Sequence, residues 1–337
     1  MISEQPKQRI SWYRSPVSRE DLAELNQRSD WKGLAQTLGH LGLLLLSGTL
    51  AWIAAENQAW GWFFLILFVH GTMYHFILNG FHELCHSSVF KSKWLNNFFL
   101  YLFSFLGIYN PVMFWASHQE HHKYTLHPPD DLEVVFPFHL PLKGFFQSII
   151  INPWGLWNRF KGSWRISQGK FEGEWELILF PEDAVEKRQQ AVRWARIELV
   201  GHGLILVVSL ATGYWLIPVL TTFANFYGGW LLYLCNNAQH VGLKDETNDY
   251  RLCTRTIILN PVVRFLYWHM NYHIEHHMYA AVPCYNLGKL HALIKDDLPY
   301  CPNGLIDTWR HIVPILKKQR EDPEYQYVPE LPNPVTA

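Results

Sequence analysis

The sequence predicts an all-α integral membrane protein with about four transmembrane helices in two hairpins and a histidine-rich cytoplasmic cap. Three observations lead there: an apolar composition, long intervals free of charge, and histidine clusters placed just past the apolar runs. Of 337 residues, 49% are hydrophobic and 16% aromatic. Only 17% are charged, where soluble domains average roughly 25%. No charged residue occurs between Lys32 and Glu56, Glu56 and Glu83, Lys93 and Glu120, or Glu198 and Lys244. A bilayer core of about 30 Å needs roughly 20 apolar helical residues, so the last interval has room for two spans.

The first hairpin is expected from helices near 34–54 and 60–80, and the second from helices near 199–216 and 219–236. Between them, "LNNFFLYLFSFLGIYNPVMFWAS" (95–117) is interrupted by Gly107 and Asn110-Pro111. It is either a fifth span or a segment that dips in and returns. Irregular backbone at membrane depth must be covered by protein, which favours the re-entrant or interfacial reading. Lys7, Arg9, Arg14, Arg19, Arg28 and Lys32 precede the first span, while the connections at 55–59 and 217–218 carry no Lys or Arg. The N-terminus is therefore expected on the cytoplasmic side, with both hairpins returning there.

Residues 1–33 read as a cytoplasmic segment, 34–80 and 199–236 as the hairpins, 123–197 as a cytoplasmic or interfacial insert, and 237–337 as cap and tail, all in one domain. Within the insert, "FFQSIIINPWGLWNRFKGSWRISQGK" mixes aromatics with Arg and Lys, which suits a helix in the headgroup layer or an amphipathic helix packed on the cap. The Pro-rich tail "EDPEYQYVPELPNPV" is expected to wrap the surface. No cleavable leader is expected, since the first apolar run is long enough to span. Cys85, Cys235, Cys253, Cys284 and Cys301 form no CxxC pair and read as reduced structural thiols. A net charge of -1 without a basic stripe gives no reason to expect nucleic acid.

The chemistry lies in the histidines. "HELCH" places His82 and His86 on one helical face. "HQEHH" gives His118, His121 and His122, and "NYHIEHH" gives His273, His276 and His277 with the same spacing. "NNAQH" separates Asn236 and His240 by four residues. Neutral imidazole is the commonest transition-metal ligand, and nine such groups exceed what one ion can hold, so two ions are implied. A structural zinc site needs four ligands and usually recruits cysteine, so ligand count favours iron. His40, His70, His75 and His202 lie in or beside apolar runs and read as hydrogen-bonded interior groups rather than haem ligands. His269 could join the site; His127, His139, His291 and His311 read as surface groups or groups behind the ligands.

These boxes resemble those of the integral-membrane fatty acid desaturase and hydroxylase superfamily, in order and in spacing relative to the spans. The resemblance covers roughly residues 34–300. It implies a four-span protein whose cytoplasmic cap holds two iron ions, with O2 as co-substrate. It also implies metal ligation by His82, His86, His118, His121, His122, His273, His276 and His277. His240 resembles an additional ligand after the last span, and Asn236 an asparagine that touches a metal through water. "TLHPPDD" resembles an acidic motif in which Asp130 and Asp131 orient ligand histidines.

The first box has three intervening residues rather than the four typical of acyl-CoA desaturases, so that branch's substrate does not transfer. No HPGG-type haem motif occurs, so an external electron donor is expected: ferredoxin, rubredoxin, or cytochrome b5 with its reductase. The implied reaction removes hydrogen from an unactivated C–H bond of an acyl or small hydrophobic substrate held at the bilayer. Desaturation of a fatty acyl chain is the first choice. Hydroxylation, or oxidation of a small amino-acid-like metabolite as in the dihydrorhizobitoxine desaturases, is the alternative. Gly80, Phe81, Trp115 and Trp268 are candidate substrate-tunnel linings that also suit plain packing. A non-catalytic membrane metal protein is the remote rival, because a transporter would place ligands near mid-membrane.

Overall fold

The computed structural model describes residues 9–135, 145–146 and 149–332; His139 lies outside them. Among the described residues every regular element is helical, and extended pairing is confined to isolated bridges such as Tyr13 with Asp249. In chain order the α-helices are α1 (Arg19–Leu25), α2 (Asp30–Glu56), α3 (Trp60–His75), α4 (Ile77–Cys85), α5 (Lys93–Gly107) and α6 (Pro111–Tyr124). Next come α7 (Pro153–Ser167), α8 (Glu174–Leu179), α9 (Val185–Thr212), α10 (Leu216–Leu220) and α11 (Trp230–Asn237). The cap adds α12 (Tyr250–Cys253), α13 (Pro261–Leu266), α14 (His273–Met278), α15 (Leu287–Ile294) and α16 (Gly304–Glu321).

Among the described residues three helices are long and apolar enough to cross a membrane: Asp30–Glu56, Trp60–Cys85 and Val185–Thr212. Their outward faces carry exposed Leu45, Leu46, Phe64, Val207 and Leu210, a continuous apolar surface of the kind that lipid covers. The first hairpin forms as expected. Ser29 caps α2 by accepting from the Lys32 N–H, and residues 57–59 turn the chain, with Gln58 in the left-handed region at φ 55°.

Residues 95–117 form α5 and α6, which meet at 102°. Ile108 turns left-handed at φ 54°. Asn110 then caps α6 by accepting from the Val112 and Met113 N–H groups, and Pro111 occupies the first turn, where its missing N–H is no loss. The bend directs α6 and its histidines toward the cap, in keeping with a segment that enters and returns. The pair counts as a fourth crossing only if it is taken as one bent span.

The fourth helix expected over 219–236 is absent. In its place are α10, a 3-10 turn at Ala224–Phe226, and α11, each too short to span. Pro218 cannot donate to a helical ladder. Gly228 takes φ 72°, and a Cβ there would stand 2.7 Å from the Phe68 carbonyl oxygen of α3. Gly71 of α3 faces the same segment so closely that a Cβ would collide with the Tyr227 carbonyl. Thr72 Oγ1 completes the clamp by donating to the Gly228 carbonyl at 3.0 Å. Close backbone contact with α3 thus takes the place of a regular helix.

Helix α9 also differs from expectation, beginning at Val185 rather than near 199. Its polar first half packs in the insert: the Arg196 Nε–H donates to the Ser167 carbonyl at 2.9 Å, and the Arg188 guanidinium lies 4.4 Å from the Phe171 ring. Helix α7 leaves Trp154, Trp157 and Trp164 exposed on one face, in keeping with a headgroup-layer position.

Two left-handed residues, Trp268 (φ 52°) and His269 (φ 58°), precede α14. The fully buried Trp268 donates from Nε1 to His40 Nδ1 of α2 at 3.0 Å, and His40 Nε2 donates to the Met73 carbonyl at 3.0 Å. The first span therefore anchors the turn that carries the third histidine box. Gly80 packs against Phe103 and Trp268 with no room for a Cβ, so Gly80, Phe81 and Trp268 form core there.

Substituting Gly71 by Val is expected to lower stability by about 3 kcal/mol, the upper end for overpacking. Thermal unfolding of the detergent-solubilised protein measures it, and an unchanged midpoint would contradict the close packing of α3 on residues 227–228.

Candidate metal centre

Four separate stretches bring histidines to one place. His82 lies in α4 and His86 at its C-cap. His118, His121 and His122 occupy the last turns of α6, His240 the turn after α11, and His273, His276 and His277 belong to α14. Seven of the nine are buried; His86 and His122 are half-buried.

The rings form two groups. His82, His86, His118, His122 and His276 bring one nitrogen each within 4.8 Å of the others, and His121, His240 and His277 do the same. His273 belongs with the second group, its Nε2 lying 2.9 Å from that of His240 and 3.2 Å from that of His277. In the first group the Nε2 atoms of His86 and His118 are 3.1 Å apart, those of His118 and His122 3.0 Å, and those of His122 and His276 3.2 Å.

The opposite ring nitrogens decide what these contacts mean. His118 Nδ1 donates to Glu133 Oε1 at 3.0 Å, His121 Nδ1 to Asp131 Oδ2 at 2.8 Å, and His82 Nδ1 to Glu83 Oε1 at 3.1 Å. His240 Nδ1 donates to the Cys253 carbonyl at 2.9 Å. A ring that donates from Nδ1 presents a bare lone pair at Nε2 when neutral. Wherever two such lone pairs face each other at about 3 Å, they repel unless a cation lies among them. With a metal–imidazole bond of about 2.1 Å, ligand nitrogens at right angles stand about 3 Å apart. The observed separations fit two such ions, one in each group.

Electrostatics separate His121 from its neighbours: burial opposes its protonation, but the hydrogen bond and charge of Asp131, with the charge of Glu133, raise it above the ordinary imidazole value. Burial, reinforced by His86 and His82 for one and by His273 and His121 for the other, holds His276 and His277 well below the ordinary imidazole range. Both are therefore neutral and free to ligate. Burial opposes ionisation of Asp131, but the hydrogen bond and charge of His121, with the Leu126 and Glu133 N–H groups, keep its carboxyl below its ordinary value. An ionised Asp131 fixes the orientation of the His121 ring.

Asn236 lies in the last turn of α11 with its buried Oδ1 lacking a hydrogen-bond partner among the described residues, as expected of an oxygen that takes a water. Asp130 donates its backbone N–H to the His127 carbonyl at 3.0 Å. Asp131 accepts from a histidine of the two groups as expected, and Glu83 and Glu133, which sequence reasoning passed over, do the same. Glu83 sits inside HELCH and Glu133 two residues beyond Asp131, so a count of carboxylates beside the boxes could have found both. Glu275 of the third box accepts from Thr256 Oγ1 and His291 Nδ1, each at 2.5 Å, which puts His291 behind the ligands.

The other histidines are occupied elsewhere. His70 bridges Ser47 Oγ and the Leu220 carbonyl, His75 bonds the Gly71 carbonyl, and His202 bonds Thr222 and the Phe105 carbonyl. His269 belongs to neither ligand group. The five cysteines are free thiols, four of them buried.

Residues 57–307 match the family model of the fatty acid desaturases, an interval that contains every histidine of both groups. No curated protein matches the chain.

Replacing Asp131 with Asn is expected to weaken metal retention about 10–100-fold, the usual effect of losing a carboxylate behind a ligand histidine. Metal content after dialysis against graded chelator measures it; retention equal to the parent chain would contradict the role given to Asp131.

Proposed function

Because the chain belongs to the fatty acid desaturase family of desaturase- and hydroxylase-type oxidoreductases, we propose that it is a multi-pass membrane enzyme that desaturates a fatty acyl chain, using O2 and two iron ions. The single observation that carries this reading is the convergence of nine imidazoles into two groups with their Nε2 lone pairs inward. His82, His86, His118, His122 and His276 would hold one ion. His121, His240, His273 and His277 would hold the other, with Asn236 reaching a metal through water. Bound there, an iron pair supplies the oxidising power to remove hydrogen from an unactivated C–H bond.

The chain's residues provide what such chemistry needs. Glu83, Asp131 and Glu133 fix ring orientations and offset the positive charge. Phe114 stacks on His118 at 5.0 Å and Trp115 meets His86 at 5.3 Å, which screens that side of the centre from water. Iron is favoured over zinc because the ligands number nine and include no thiolate. The histidines gather at helix ends rather than along a path across the bilayer, which disfavours a transporter. The Lys and Arg residues before α2 support placing the centre on the cytoplasmic side. Electrons would come from a separate carrier protein.

Expression in a host with a defined lipid pool, compared by mass spectrometry with a His276→Ala control, tests the proposal. A lipid lighter by two hydrogens and absent from the control is expected. A lipid heavier by one oxygen would make the chain a hydroxylase, and an unchanged lipid pool would contradict the lipid substrate. Replacing Asn236 with Ala is expected to reduce turnover about 10–100-fold with both metal equivalents retained; loss of a whole equivalent by metal analysis would contradict the water-mediated contact.

A further inference from the structure

The N-terminal segment is strapped across the cap beside the histidine groups. The Tyr13 N–H donates to the Asn248 carbonyl at 2.8 Å, and the Tyr13 hydroxyl and Ser15 Oγ both donate to Asp297 Oδ2. The Tyr279 hydroxyl donates to the Ser15 carbonyl. This strap forms one wall of a pocket of about 820 Å3 whose lining includes Arg9, Arg14 and Lys123 and whose floor reaches His122. Arg9 and Arg14 are exposed; Lys123 pairs with Glu120 at 2.8 Å.

At the centre of this pocket Trp12 stacks flat on Tyr250, with ring centroids 4.0 Å apart and planes 7° from parallel. The Trp12 Nε1–H donates to the Lys123 carbonyl at 2.8 Å. Tyr250 continues inward: its hydroxyl donates to the His122 carbonyl at 3.0 Å, and its ring lies 5.3 Å from that of His277. One half-buried indole and one buried phenol ring thus join the pocket to one histidine of each ligand group. A molecule arriving here meets the stacked rings of Trp12 and Tyr250 beside His122. Stacked rings in contact with both histidine groups offer a path for an electron.

The geometry points to this pocket as the docking site of an acidic one-electron carrier protein, with Trp12 and Tyr250 as the route of electrons to the metal centre. The inference rests on the metal-dependent reading above. Charge chooses the partner class, since Arg9 and Arg14 rim the opening with no acidic residue among the described residues of its lining, which steers an acidic surface toward it. Each docking oxidises the carrier by one electron and reduces the centre by one, and neither ring is itself oxidised. Two electrons and two protons, with two hydrogen atoms from the substrate, then reduce O2 to two water molecules and leave one carbon–carbon double bond.

The test uses the full metal-loaded chain in detergent micelles without O2, with reduced plant-type ferredoxin and reduced cytochrome b5 as protein probes and reduced methyl viologen as a small one. Carrier oxidation is followed by stopped-flow absorbance. Trp12→Leu is expected to lose the fast phase with the protein probes and keep the parent rate with viologen. Trp12→Phe, which keeps a ring but loses the hydrogen bond to Lys123, is expected to keep the fast phase. Equal slowing of all three probes, or no slowing of any, overturns the route.

A second arm measures carrier binding to the metal-free chain. Arg9→Glu with Arg14→Glu is expected to weaken it about tenfold at low salt, with a smaller difference at high salt. Unchanged carrier binding with weaker binding of the lipid substrate overturns the docking claim and makes the pocket a site for an anionic substrate group. Failure of either probe to bind the parent chain also overturns it. If the loaded chain holds no reducible centre, the metal reading fails instead, and the metal-free arm still decides the docking.

Discussion

Nine imidazoles can converge in a buried space only if most of them stay neutral and turn a bare nitrogen inward, and that constraint shapes everything around the site. Unbonded, a buried Nδ1–H would carry a desolvation penalty of about 1–3 kcal/mol. Acceptors stand at several of these places, with Glu83 for His82, Glu133 for His118, Asp131 for His121 and the Cys253 carbonyl for His240, whereas Nδ1 of His273 and of His276 has no hydrogen-bond partner among the described residues. These acceptors come from α4, the loop after α6, and α12. Much of the irregular backbone between the helices serves to bring them within reach.

The membrane-facing part works to the same end. Helix α2 holds the third box indirectly, through the His40–Trp268 bond. The residues around Gly228 hold α11, and hence Asn236 and the turn to His240, by lying flat against α3. Arg255, fully buried, donates to the Ala238 and Val241 carbonyls on either side of His240, giving that turn the cationic contact a helix C-terminus favours. Precision at the centre thus draws on packing at its edges, as a site held by several shells requires.

Much of this was legible in the sequence because its period is local. Histidines three or four residues apart share a helical face whatever the tertiary setting, so the boxes and the long apolar runs of α2 and α3 could be read directly. The fourth span could not, since the apolar composition over 219–236 suits a helix, and it is the close approach of α3, with the left-handed turn at Gly228, that breaks it. The start of α9 was masked by the charges of Glu186, Lys187 and Arg188, which look like loop but lie on a helix packed in the insert. Hardest of all was the strap: nothing local in "ISWYRS" shows that Trp12 stacks on Tyr250 from the other end of the chain.

Two metal ions held side by side by imidazole are what the proposed chemistry requires. Metal analysis of the purified chain combined with Mössbauer spectroscopy after growth on iron-57 tests that most directly. Two irons per chain with the signature of a magnetically coupled pair are predicted. A single isolated iron, or zinc bound in its place after growth with both metals supplied, would contradict the account.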